Sequence, residues 1–121
     1  MNQSDNQNPD IRVILRTPEF DEFYGSLPQQ VKEKFQYVFK VLQSVYNIST
    51  KFVKHLEGTE LYEMRVSSGS DEYRSILFAI DHSNVIQSTR VILLNGFLKK
   101  STKDYKKQIN IAIKILNNLQ S

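Results

Sequence analysis

With 121 residues, 40% of them hydrophobic and 24% charged, the chain has the length and composition of one folded domain with a single core, not of a disordered polymer. It has no cysteine and only two histidines, His55 and His82. This excludes a disulfide framework, a zinc–thiolate site and a thiol nucleophile, and with no carboxylate cluster beside the histidines neither a metal nor another cofactor is expected. The formal charge of +3 is mildly basic but uneven: Lys99, Lys100, Lys103, Lys106 and Lys107 crowd one stretch against Asp104 alone, the kind of patch that binds a polyanion.

Residues 1–10 are polar, lack the apolar stretch of a secretory signal, and read as a flexible tail before a single domain of residues 11–121. The longest apolar run, Val91 to Leu94, is too short to span a bilayer, so a cytoplasmic location without membrane contact is expected. Ile11 to Leu15 is a candidate first strand. Thr17 offers an N-cap with Pro18 at the first helical position, and Phe20, Phe23, Tyr24 and Leu27 then share one helical face. Pro28 starts a second helix whose stripe is Val31, Phe35, Val38, Leu42 and Val45. From Leu56 the period changes to two. Glu57-Gly58-Thr59 reads as a turn, Leu61 to Val66 as a strand, Glu72 to Ile80 as the next and Val85 to Phe97 as a long third, joined by turns at 67–71 and 81–84. Ser101 with Asp104 marks the start of a last helix that turns Tyr105, Ile109, Ala112, Ile113 and Leu116 inward. The order strand, helix, helix, three strands, helix predicts an α+β domain with helices packed on an antiparallel sheet.

The hairpin carries the most chemical information. A two-residue loop of Gly69 and Ser70, glycine first, suits a type II′ turn. Counting outward, Val66 faces Tyr73 and Arg65 faces Arg74. Opposed arginines repel, which stability alone disfavours. A site that grips phosphate favours them, because the guanidinium fork matches phosphate oxygens. The competing account is a surface salt bridge from Glu63, two residues along the same face. Lys99 and Lys100 follow the third strand within reach of that face, and Gly96 just before them fits a bulge or a close backbone approach. His55, beside Lys54, is a candidate general base, whereas His82 falls in a turn and reads as structural. Tyr73 is either a core residue or a platform for a base.

Leu56-Glu57-Gly58-Thr59-Glu60-Leu61-Tyr62-Glu63-Met64-Arg65 resembles the L-x-G-x-x-L-Y-E-L-R segment of RelE/HigB-type toxins, above all the phage-derived HigB-like branch. Tyr73 to Phe78 is similar to that family's Y-R-I-x-Y/F strand, and Val91 to Lys100 to its strand end with H-G-F-x-K-K. The likeness runs from about Phe20 to Leu116. It implies a RelE-like fold and the toxin role in a type II toxin–antitoxin system. The implied activity is metal-independent endoribonuclease cleavage of mRNA on the ribosome, by 2′-hydroxyl attack on the phosphate. A cognate helix-turn-helix antitoxin is the implied partner. Matched residue by residue, Arg65, Arg74, Lys99 and Lys100 fall where such toxins place catalytic and phosphate-binding cations. His55 joins them as a catalytic candidate, and Lys54, Tyr73, Asn95, Lys103, Lys106 and Lys107 as RNA-binding candidates. Asn95 stands where many relatives have histidine. The general base therefore stays open among His55, Tyr73 and a lysine of lowered pKa, and a second reading survives: a non-catalytic RelE-like module that binds an antitoxin-type regulator.

Overall fold

The computed structural model describes residues 9–121; most of the expected tail lies outside them. The elements are β1 (Val13–Arg16), α1 (Pro18–Gly25), α2 (Gln29–Ser44), β2 (Val53–His55), β3 (Leu61–Ser68), β4 (Asp71–Ala79), β5 (Arg90–Leu98) and α3 (Thr102–Gln120). They form one five-stranded sheet in the order β1-β5-β4-β3-β2. The strands β2 to β5 are antiparallel neighbours, and β1 adds to β5 in parallel. The helices α1 and α2 carry the chain from one edge of the sheet to the other and so cover one face, while α3 covers the opposite face.

The first and last helices start where the sequence provides a side-chain cap, whereas α2 starts after Pro28 without one. Thr17 Oγ1 accepts the Phe20 N–H at 3.0 Å and donates to the Leu94 carbonyl at 2.7 Å, which ties the start of α1 to β5. Ser101 Oγ accepts the Asp104 N–H at 3.1 Å. Phe20, Val31, Phe35, Val38 and Leu42 pack against Tyr62, Met64, Val66, Tyr73, Leu77 and Leu93 on the first face. Ala112, Ile115 and Leu116 of α3 pack against Leu61, Ile76, Leu94 and Phe97 on the second. Two stripe positions differ from expectation. Val45 follows α2 as its C-cap and is exposed. Ile113 is also exposed, because it lies about 100° around the helix from Ala112, and Ile115 fills the core instead.

The segment before β5 departs furthest from the sequence reading. Residues 84–89 are not strand; β5 begins at Arg90. They form a turn held by Arg12, whose residue is only 1% exposed. Arg12 Nε donates to the Val85 carbonyl (3.1 Å), Nη1 to those of Leu42 (3.1 Å) and Val45 (2.6 Å), and Nη2 to those of Tyr46 (2.8 Å) and Ile86 (2.6 Å). One guanidinium thus satisfies carbonyls left over at the C-terminal end of α2 and in the 85–86 turn, where a cation also complements the helix dipole. Burial lowers its pKa from the usual arginine value.

The same loop is closed from outside by Asp81, whose carboxylate accepts from the Thr89 hydroxyl and from the N–H groups of Thr89 and Arg90. These bonds, the Thr89 hydroxyl first, hold the Asp81 carboxyl down at about 2 against an ordinary 3.8. The folded pKa is depressed, so the contribution is fully present above pH 3.8 and is lost as pH falls through 2. Amide exchange of Thr89 and Arg90 is therefore expected to speed up selectively in that window; protection that stays flat down to pH 2 would contradict the assignment.

In β5 the register against β4 slips once. Ile76 pairs with Asn95 and Leu77 with Leu93, leaving Leu94 as a bulge. Leu94 and Asn95, though consecutive, both turn toward α3. Gly96 then faces α1, where a Cβ would lie 2.2 Å from the Phe23 ring. Only glycine admits that ring against the sheet.

Candidate active site

The hairpin pairs as counted. Gly69 takes φ of 60° and Ser70 does not take a positive value, as a type II′ turn requires. Arg65 lies opposite Arg74. Their repulsion is relieved by Glu63, but not on the surface. Glu63 is buried, with Oε2 2.6 Å from Arg65 Nε and 3.6 Å from Arg74 Nε. The Tyr105 hydroxyl, arriving from α3, donates to Glu63 Oε1. Burial first, and the neighbouring carboxylate second, raise the Tyr105 pKa well above its usual value, so the phenol stays protonated and acts as a donor. The group of Arg65, Arg74, Glu63 and Tyr105 retains one net positive charge.

A cleft of about 370 Å³ opens over this group between β2, β3 and the start of α3. Lys54, Arg65, Lys99 and Lys100 border it, with Glu63 and Tyr105 also in its lining and Ser101 and Thr102 of the α3 N-terminus on its wall. Lys99 is anchored at both ends. Its N–H donates to the Glu72 carbonyl at 2.8 Å, and its Nζ stands 5.9 Å over the Tyr105 ring. The bulge at Leu94 gives Asn95, Phe97 and Lys99 the parity that faces α3 and this cleft. Four cations and a helix N-terminus around one opening, set against Glu57 and Glu63, give it a net positive charge that favours an anionic group. Among the described residues, no three His, Cys, Asp or Glu side chains converge to hold a metal ion, and no helix is long and apolar enough to cross a membrane.

Residues 22–117 match the model of the family described as "Phage derived protein Gp49-like (DUF891)". The chain belongs to the Gp49-like family. Two solved structures are similar to it: a mutant of the E. coli toxin RelE in the free state, and the isolated E. coli RelE toxin. The first is 14% identical with a TM-score of 0.58, covering 83% of this chain and 96% of that one. The second is 17% identical with a TM-score of 0.54, covering 82% and 96%. The fold is therefore RelE-like. No curated protein gives a significant sequence match.

In this Gp49-like chain the expected site residues separate into groups. Arg65, Lys54, Lys99 and Lys100 meet at the cleft. Arg74 is 5% exposed and does not border it. It lies under Glu63, with Nε 3.6 Å from Oε2, and donates through Nη1 to the Tyr73 carbonyl at 2.9 Å and to Glu72 at 3.3 Å. Tyr73 is corrected to a core residue: it points to the other face of the sheet, between Phe23 and Phe35, and stacks on no base. Asn95 is likewise corrected. It is buried, and its Nδ2 donates to the Gln108 carbonyl at 3.1 Å, clamping α3 to β5. His55 borders the cleft, but it pairs with Tyr62, and its ring packs 5.1 Å from the Tyr62 ring. Its Nε2 is 2.7 Å from the Thr59 carbonyl, which can only accept, so that nitrogen carries the proton. The pairing with Tyr62 puts the ring on the strand face opposite Glu63 and Arg65, and Nδ1 is left as the ring's acceptor. Lys103, Lys106 and Lys107 are exposed on α3 outside the cleft lining. Sequence reasoning missed Glu63 as a buried hub and Tyr105 as its donor; the available signal was that Glu63 shares the face of Arg65.

Proposed function

We propose that this chain is the toxin of a toxin–antitoxin pair and a cytoplasmic endoribonuclease that cleaves mRNA on the ribosome. The observation that carries the reading is the convergence of Lys54, Arg65, Lys99 and Lys100 on one cleft of a RelE-like sheet, backed by a buried carboxylate that fixes Arg65. In the reaction the 2′-oxygen attacks the adjacent phosphorus and the bond to O5′ breaks, giving a 2′,3′-cyclic phosphate and a 5′-hydroxyl. Arg65, held through Nε by Glu63, offers its remaining N–H groups to the non-bridging oxygens as charge builds on them. The 2′-hydroxyl proton passes to a general base at the cleft border, and a lysine ammonium of the cleft gives a proton to O5′. Glu63 is not the base, because both its oxygens are already engaged. The exposed Lys103, Lys106 and Lys107 add salt-dependent contacts to ribosomal RNA. The cognate helix-turn-helix antitoxin restrains the activity.

Induced expression in a bacterial host, with growth followed and mRNA 5′ ends mapped, tests this. Arrest with new 5′ ends inside reading frames is expected. Arg65→Ala, at a side chain about a third exposed, is expected to leave the protein folded and to lower cleavage about 10²–10³-fold, the usual loss for one preorganised charge donor. Normal growth and intact transcripts at full levels of folded wild-type protein would replace the enzyme by the non-catalytic regulator-binding module.

A further inference from the structure

The strand β2 covers β3 only from Tyr62 to Met64. One residue further the Arg65 N–H still reaches the Phe52 carbonyl at 2.7 Å, and beyond that the outer edge of β3 has no strand partner among the described residues. Arg65 stands at this edge and borders two clefts. One is the candidate active site. The other, of about 260 Å³, lies between α2 and the segment entering β2, and Lys34, Tyr37, Lys51, Phe52 and Ser67 line it.

The second cleft has a composition the core does not explain. Val31, Phe35, Val38 and Leu42 supply the buried stripe of α2, whereas Tyr37 is 63% exposed. Its ring is propped 6.0 Å from that of Phe52, and Lys51 Nζ stands 5.5 Å over the other ring of that pair, Phe52. Lys34 and Tyr37, three residues apart, emerge on one side of α2. Ser67 engages the carboxylate of Glu72, which Arg74 also holds. An exposed aromatic face flanked by two ammonium groups suits single-stranded RNA, whose splayed bases stack on aromatics while lysines track the phosphates. An apolar protein segment would leave those ammonium groups unpaired.

We infer that this cleft is a subsite for the RNA strand beyond the scissile phosphate. Tyr37 stacks on the base, Lys34 and Lys51 hold backbone phosphates, and the strand rounds the sheet edge at Arg65, which both clefts share. The inference rests on the endoribonuclease reading above and assigns that activity a second binding surface.

Fluorescence anisotropy with labelled 2′-O-methyl oligoribonucleotides of two and six nucleotides, which cannot be cleaved, separates the clefts. Tyr37→Ala is expected to weaken the six-nucleotide probe about tenfold, the usual size of one base–aromatic stack, and to leave the two-nucleotide probe unchanged. Tyr37→Phe should bind both as the wild type does. Lys34→Ala with Lys51→Ala should flatten the salt dependence for the longer probe by roughly two phosphates' worth. Unchanged affinity in Tyr37→Ala, or equal loss in Tyr37→Phe, overturns the subsite. If the wild type cleaves RNA and Arg65→Ala does not while Tyr37→Ala binds normally, the subsite alone is wrong. If the wild type neither binds nor cleaves RNA, the functional reading falls and the subsite with it.

Discussion

Arg12→Met is expected to destabilise the protein by about 3–5 kcal/mol, a large share of the roughly 5–15 kcal/mol that holds a domain folded. Five carbonyls would lose this donor at once; Val85 keeps Ser88 and Tyr46 keeps the Ile48 N–H, so those of Leu42, Val45 and Ile86 carry the loss. Each buried acceptor left alone costs about 1–3 kcal/mol, though neighbours relax together and the sum is not reached. Arg12→Lys should recover only part of the loss, because three donors at one point cannot span carbonyls from two segments as a planar fork does. Urea midpoints measure the cost, and amide exchange should show the last turn of α2 and the 85–88 turn opening first. A loss under about 1 kcal/mol would mean that water replaces the guanidinium without penalty and that Arg12 is not the pin of this corner.

Glu63 and Arg74 should behave as a coupled pair. Glu63→Ala leaves the buried Arg74 guanidinium with only the half-exposed Glu72 as a carboxylate partner and is expected to cost about 3 kcal/mol, the low end of the penalty for breaking a buried ion pair from one side. Glu63→Leu with Arg74→Met removes both charges and should return most of that stability, since buried pairs are often replaceable by apolar groups of similar size. The double variant should nevertheless cleave RNA poorly, because Arg65 loses the carboxylate that aims it. A double-mutant cycle in urea gives the coupling directly. Additive costs would show that the two side chains do not sense each other, and the account of the site's floor would have to change.

What could be read in the sequence followed from local rules. Gly69 set the turn type, and the turn set which residues oppose each other, so the Arg65–Arg74 pairing is available to anyone who counts outward. The same alternation carried a consequence for Tyr73. Adjacent strand residues point to opposite faces, so an Arg74 under the cleft obliges Tyr73 to enter the core. His55 was harder, because β2 is only three residues long and exists through its pairing with β3. The run from Val85 has the composition of a strand, yet Arg12, 73 residues earlier, holds it as a turn. Asn95 lies just past a slip in register that no period-two count foresees.

That slip also separates two duties along one strand. Up to Leu93, β5 obeys the alternation of the core it helps to build. From Asn95 onward the same strand runs in the opposite phase and delivers Lys99 to the face of Arg65 instead of the face of Phe23. The single extra residue works as a half-turn coupling between a packed interior and a chemically exposed end. The length of the strand between residues 94 and 99, more than its composition, decides which side of the sheet the charge of Lys99 reaches.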